Sequence, residues 1–226
     1  MISLGVGFIV WKHNSKAPAI TTNQKDEIFT DDVTVIRTFM ANPNLELSFV
    51  KTDLPMPYFR VGKVTKVGNG ESMEAVEDWV RKVNIYDQKG ILDGRCATYE
   101  YQLDARSHKL TSVDIRGLRP NEIEALKKDG INCVDSYQMP KISKADAETI
   151  AKGYLKRAVP NLDQIWEEFI YSLQSNGELH QWLWEDKGYK LPEGLEGRPY
   201  SYPIIRITVY GNKQIQYWNT VSLFQN

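Results

Sequence analysis

Two cysteines, three histidines and the adjacent acids Glu167-Glu168 and Glu185-Asp186 are residues whose types suit chemistry. Cys96 and Cys133 do not form a C-x-x-C pair, and His13, His108 and His180 are too scattered to complete a zinc quartet with them. The cysteines have two readings: small buried thiols, or one disulfide across a loop of moderate length in a domain outside the cytoplasm. Glu167-Glu168 and Glu185-Asp186 invite comparison with the paired acids of glycosidases. Strand neighbours point to opposite faces, so neither pair alone converges on one substrate atom. Only Glu168 and Glu185, meeting across a hairpin that turns at Asn176, would do so. His108 falls in a hairpin turn and His180 in a strand, where solvated or hydrogen-bonded roles are expected. Gly5-Val6-Gly7 lacks the third glycine of a dinucleotide loop, and Gly68-Asn69-Gly70-Glu71-Ser72 lacks the ending of a phosphate loop. No G-x-S-x-G, H-E-x-x-H or catalytic Cys–His pattern occurs. The expectation is a non-enzyme without metal or cofactor.

The aromatics carry a second kind of chemistry. Trp182 and Trp184 lie two apart and share a strand face; Trp166, Tyr217 and Trp218 come from segments that would neighbour them. One reading is core, packed against a helix that begins at Ser143. The other is a binding face for peptide, glycan or a partner protein, formed by Trp182, Trp184 and Trp218 and extended by Tyr200 and Tyr202.

These residues need a scaffold, and 226 residues with 42% hydrophobic content supply one. The length suits one large domain or two of roughly 100 residues each. Lys and Arg number 28 against 29 Asp and Glu, a net charge of -1 without the basic surplus of a duplex-binding domain. Ile2 to Trp11 is apolar apart from Ser3. It is shorter than the roughly 20 residues a membrane span needs and lacks the preceding positive stretch of a signal peptide. It reads as the outer half of an anchor helix whose start is misplaced, or as a short buried strand. Asn14 to Glu27 reads as a polar tether. Residues 1–30 are thus expected to be anchor remnant and tether, with a strand-rich unit over 31–139 and a second unit over 140–226.

Alternation at Val33/Val35 and at Leu45, Leu47 and Phe49 predicts strands across Asp32 to Val67, broken at Asn42-Pro43-Asn44 and Leu54-Pro55-Met56-Pro57. Met73, Val76, Val80 and Val83 stand three and four apart, which predicts a helix from Glu71 to Val83. Arg95–Leu103 and Lys109–Arg116 read as a hairpin, Pro120 as the start of a short helix with Ile123 and Leu126 inward and Gly130 as its cap, and Ile131–Gln138 as a strand. Ser143, with Asp146 three residues on, caps a helix whose apolar stripe is Ala147, Ile150, Ala151, Tyr154, Leu155 and Ala158. Strands are then expected at Ile165–Gln174, Leu179–Glu185, Pro203–Tyr210 and Gln214–Leu223, with a loop from Lys187 to Pro199. The order helix, then strand hairpin, occurs in the middle of the chain and again at its end. The fold class expected is α+β, helix packed on antiparallel sheet.

Ser143 to Leu223 resembles the PepSY/YcdB-type extracytoplasmic domains. The similarity lies in Ile142-Ser143-Lys144-Ala145-Asp146-Ala147 leading into a helix, Trp184-Glu185-Asp186-Lys187 at a strand end, and the closing Ile205-Arg206-Ile207-Thr208-Val209 and Ile215-Gln216-Tyr217-Trp218-Asn219. It extends to Glu71–Gly117 through Tyr99-Glu100-Tyr101-Gln102-Leu103-Asp104, which suggests two tandem units. The resemblance implies secreted or membrane-tethered proteins with inhibitory or regulatory roles, some as propeptide regions of secreted peptidases, and no shared catalytic residues. The function expected is a non-catalytic regulatory or interaction module outside the membrane, touching it through the N-terminus only and binding a protein partner but no nucleic acid. The alternative is a wall-glycan or small-ligand binding domain that uses the aromatic face.

Overall fold

The computed structural model describes residues 22–53, 59–67, 70–75, 82–134, 138–191, 193–194, 196–199 and 203–224. The apolar run Ile2–Trp11 lies outside them, and among the described residues no helix is long and apolar enough to cross a membrane.

The first element is a helix, α1 (Thr22–Met40), where a tether and then a strand were expected. The expected boundary at residues 30/31 therefore falls inside it. Val33 and Val35 alternate by accident; the buried set is Asp32, Ile36 and Phe39, which is helical spacing. A carboxylate at the head of that set hid its period. Ala41 ends the helix at φ 52, and the Asn42 N–H reaches back to the Arg37 carbonyl at 3.0 Å.

β1 (Leu47–Asp53), β4 (Val83–Gln88), β5 (Ala97–Asp104) and β6 (Leu110–Gly117) form an antiparallel meander. Between β1 and β4 the chain leaves to make a second, small sheet from β2 (Phe59–Val67) and β3 (Gly70–Ala75). The helix expected from Glu71 to Val83 is thus replaced by two strands, with 76–81 outside the described residues. The apparent helical spacing joined Met73 of β3 to Val83 of β4, with Val76 and Val80 outside the described residues. The β5–β6 hairpin stands as expected.

After β6 comes α2 (Pro120–Lys128), with Pro120 at its start and Gly130 at φ +76 beyond its end, as expected. It buries no residue fully; Ile123 and Leu126 are half-covered. Two things hold it. Arg116 pairs with both Asp87 and Glu122, and Cys96 is disulfide-bonded to Cys133. Of the two cysteine readings, the disulfide is the one observed. The strand expected at Ile131–Gln138 is reduced to one bridge, Val134 to Arg95, with 135–137 outside the described residues.

The Arg116 guanidinium, bonded to Glu122, draws the Glu122 carboxyl down from its ordinary 4.5 to about 2. A folded value below the unfolded one means stability that is present above about pH 4.5 and lost as pH falls through about 2. Glu122 is partly exposed, so screening holds the contribution to about 1 kcal/mol or less. Glu122→Gln should therefore lower the urea midpoint at pH 6, and its difference from the unaltered chain should shrink steadily below pH 4.5. A difference independent of pH would contradict the pairing.

α3 (Lys144–Ala158) begins as expected: the Ser143 hydroxyl accepts the Asp146 N–H at 3.1 Å. Ala147, Ala151 and Leu155 are fully buried, one turn apart. The expected strand from Ile165 starts late, because Leu162 and Ile165 bury themselves from a short turn, α4 (Leu162–Ile165). A second meander follows: β7 (Ile170–Gln174), β8 (Leu179–Glu185), β10 (Ile204–Tyr210) and β11 (Ile215–Asn219). The expected loop before Pro199 contributes β9 (Glu196–Pro199), which joins β2 in the small sheet. The last strand stops at Asn219 and gives way to a 3-10 turn, Val221–Phe224.

The large sheet runs β1-β4-β5-β6-β11-β10-β8-β7, so the architecture is α+β with an eight-stranded antiparallel sheet. Each meander enters at an outer edge and works inward, and the two meet where β6 pairs with β11. The sheet is continuous across the expected 139/140 boundary. Phe49, Tyr86, Tyr101, Val113, Tyr217, Ile207, Trp182 and Tyr171 are register partners in turn, one row crossing all eight strands on one face. Both long helices cover that face: Phe39 of α1 touches Tyr217 and Tyr154 of α3, with ring centroids 4.9 and 5.2 Å away. Most of the core lies between helices and sheet.

One close approach is exacting. A Cβ on Gly211 would sit 1.6 Å from the Pro140 carbonyl oxygen. Only glycine lets the β10–β11 turn pass under the linker that leads into α3. Gly211→Ala should cost about 1–3 kcal/mol in urea unfolding, the exposed linker taking up part of the overlap. An unchanged midpoint would show that the approach is not maintained in solution.

Candidate functional site

A cavity of about 810 Å³ opens where α1, the C-terminal end of α3, the β5–β6 turn and the Val221–Phe224 turn come together. Its apolar wall includes Phe39, Leu110, Ile165, Trp184, Ile205 and Val221. Polar groups interrupt that wall at Asp31, His108, Lys109, Arg157 and Ser222.

His108 is held by what lies behind it. Asp32 has no solvent exposure, and its Oδ2 accepts from the Asn84 side-chain amide at 2.9 Å and the Tyr86 hydroxyl at 2.8 Å. Its Oδ1 is left for His108 Nδ1, at 2.8 Å. Thr52 extends the chain of bonds by donating its hydroxyl to the Asn84 side-chain oxygen Oδ1 at 2.7 Å. Burial, and then Asp32 itself, push the Tyr86 phenol well above its ordinary value, so it stays a donor. The network satisfies a buried carboxylate completely, as such burial demands.

The β5–β6 turn presents His108 from a constrained backbone. Its φ is 55°, its N–H bonds the Asp104 carbonyl at 2.8 Å, and the Asp104 carboxylate accepts from Arg106 N and Ser107 Oγ. With Nδ1 committed to Asp32, Nε2 turns the other way, and the side chain is 32% exposed. This is the orienting half of an acid–base dyad. No hydroxyl or thiol is bonded to that second nitrogen among the described residues.

The hydrogen-bonded role expected for histidine holds at His180 as well. It is buried, its Nε2 donates to the Ile142 carbonyl at 2.9 Å, and its Nδ1 accepts from Tyr171 OH at 2.8 Å. Glu168 and Glu185 do not form a paired-acid site: Glu168 lies before β7 and accepts from Trp184 Nε1 at 2.7 Å. Among the described residues no cluster of three His, Cys, Asp or Glu suits a metal ion.

The aromatic residues proposed as one face are not one face. Trp182 is buried against Trp166 and Tyr171, on the side the helices cover. Trp184 shares that side and forms part of the cavity wall. Trp218 is registered with Arg206 and Ser112, one residue out of phase with the core row, and so projects from the opposite side. The Arg206 guanidinium lies over its ring at 4.3 Å. Tyr200 and Tyr202 lie outside the described residues.

Sequence reasoning missed Asp32 paired with His108, which are 76 residues apart. The one local signal was an acid four residues before Ile36 and seven before Phe39, inside the apolar stripe of α1. Comparison with family models, curated proteins and solved structures finds no match to this chain.

Proposed function

We propose that this chain is a non-catalytic regulatory or interaction module of an extracytoplasmic compartment, of PepSY/YcdB-like type and tethered through its N-terminus. The observation that carries the reading is the Cys96–Cys133 disulfide, since such bonds persist in oxidising compartments and are rare in the cytosol. The doubled order of one helix followed by a four-stranded meander supports the tandem resemblance. The partner is a protein that adds an extended segment to β7. Among the described residues β7 pairs with β8 alone, and it exposes Ile170 at 55% and Leu173 at 53%. Its sequence, IYSLQ, has neither charge nor proline. The opposite edge, β1, is guarded by a register shift and by Lys51 and Asp53. An unguarded edge suits strand addition.

Two measurements test this. Cells quenched in acid to freeze thiol exchange, then denatured and alkylated at about pH 8, should leave both cysteines unreacted until a reductant is added; thiols reactive before reduction would sink the compartment assignment. A photo-crosslinker at Ser172 should capture a partner that Ile170→Lys and Leu173→Lys both release while the melting temperature holds. Capture insensitive to those changes would remove the edge as the contact.

A further inference from the structure

We propose that the cavity between the helices and the sheet is a binding site for a small anionic amphiphile, one carboxylate on an apolar body. Its volume of about 810 Å³ lies in the range of ligand pockets, and its wall is largely apolar. Two polar groups in that wall are placed to meet a ligand. Ser222 is 7% exposed, lines the cavity, and its hydroxyl has no partner among the described residues. A buried hydroxyl left unpaired is unfavourable, and an acceptor entering the cavity relieves it. Arg157 is the second. Its Nε donates to the Phe39 carbonyl at 2.7 Å, and its guanidinium lies 4.7 Å from the Tyr154 ring centroid. These contacts hold the guanidinium at the wall, and its two terminal nitrogens, on an exposed residue, stay open to water or to a ligand. A fixed guanidinium fork matches a carboxylate in two parallel bonds.

The surrounding charge favours the same ligand. Arg157 lines the cavity opposite Asp31, the one carboxylate among its described lining residues, and the Asp32 carboxylate is closed off behind Asn84, Tyr86 and His108. A cationic amphiphile would meet the wrong sign, and a neutral one would leave Arg157 unanswered. The occupant does not compete for the β7 edge, so this site stands or falls separately from the proposed partner contact.

The test is titration of the whole chain with decanoate below its micellar concentration, followed by calorimetry and by tryptophan emission, since Trp184 forms part of the wall. One saturable site is expected, with decanol about tenfold weaker or worse and decyltrimethylammonium weaker still. Arg157→Gln should remove the preference for decanoate over decanol, Arg157→Lys should restore part of it, and Val35→Trp should block both ligands. Absence of saturable binding, equal affinity for decanoate and decanol, or an Arg157→Gln chain that keeps the preference would overturn the proposal. Should Arg157→Gln fail to fold, the ranking of the three ligands on the unaltered chain decides the question alone.

Discussion

Asp32→Ala is expected to lower the stability of the folded chain by about 3–5 kcal/mol, among the largest losses a single substitution here can produce. The carboxylate makes three contacts without touching solvent: Asn84, Tyr86 and His108. Its removal takes from the buried Asn84 amide and Tyr86 hydroxyl the acceptor they share, and the loss of such an acceptor costs about 1–3 kcal/mol per donor. It also frees His108, so the β5–β6 turn loses its tie to α1. Asp32→Asn retains one acceptor oxygen and should cost less than alanine. Urea unfolding monitored by circular dichroism measures both. A loss for alanine below about 1 kcal/mol would mean that the network does not form. The double substitution with Tyr86→Phe should cost less than the sum of the two singles, because the orphaned hydroxyl is then gone.

The second large effect is removal of the disulfide. Cys96 and Cys133 close a loop of 37 residues. Chain-entropy reasoning gives about 4 kcal/mol for a loop of that length, and Cys96→Ala with Cys133→Ala should lose about that much. The loss should also be localised. α2 buries no residue fully, and its return segment is tied to the sheet by the bond and by the main chain around Val134, whose N–H donates to the Gly94 carbonyl at 2.9 Å. Amide exchange should therefore accelerate across residues 118–134 while the core strands stay protected. Acceleration spread evenly over the sheet would show that the bond supports the whole fold and not this one flap.

How far the sequence could be read differs element by element. α3 was legible because cap, stripe and stop all agreed: Ser143, then Ala147, Ala151 and Leu155, then Pro160. The hairpins at 97–117 and 204–219 were legible because alternation and turn residues agreed. α1 was not, because Thr34 between Val33 and Val35 imitates a strand while Asp32 breaks the apolar stripe. β9 was not, since its pairing with β2 depends on segments more than a hundred residues apart meeting in space, and β3 was not, because Met73 and Val83 stand at a helical spacing although they belong to separate strands. The same limit hid the cavity. None of its polar groups lies in a motif: Asp31, His108, Arg157 and Ser222 are assembled by packing alone. The aromatic pattern was read in the right strands but on the wrong sides, because Trp182 and Trp218 fall on opposite phases of the register.

The seam between β6 and β11 has a kinetic meaning. Within each meander the long strands chiefly zip to neighbours near in sequence, whereas Val113 and Tyr217 must find each other across about a hundred residues. This topology predicts a two-tiered assembly in which pairing within each meander precedes the union along that central ladder, so Val113→Ala should slow refolding more than a comparable truncation at an outer strand. A chain delivered N-terminus first would have the strands of its first meander in hand before those of the second were all available.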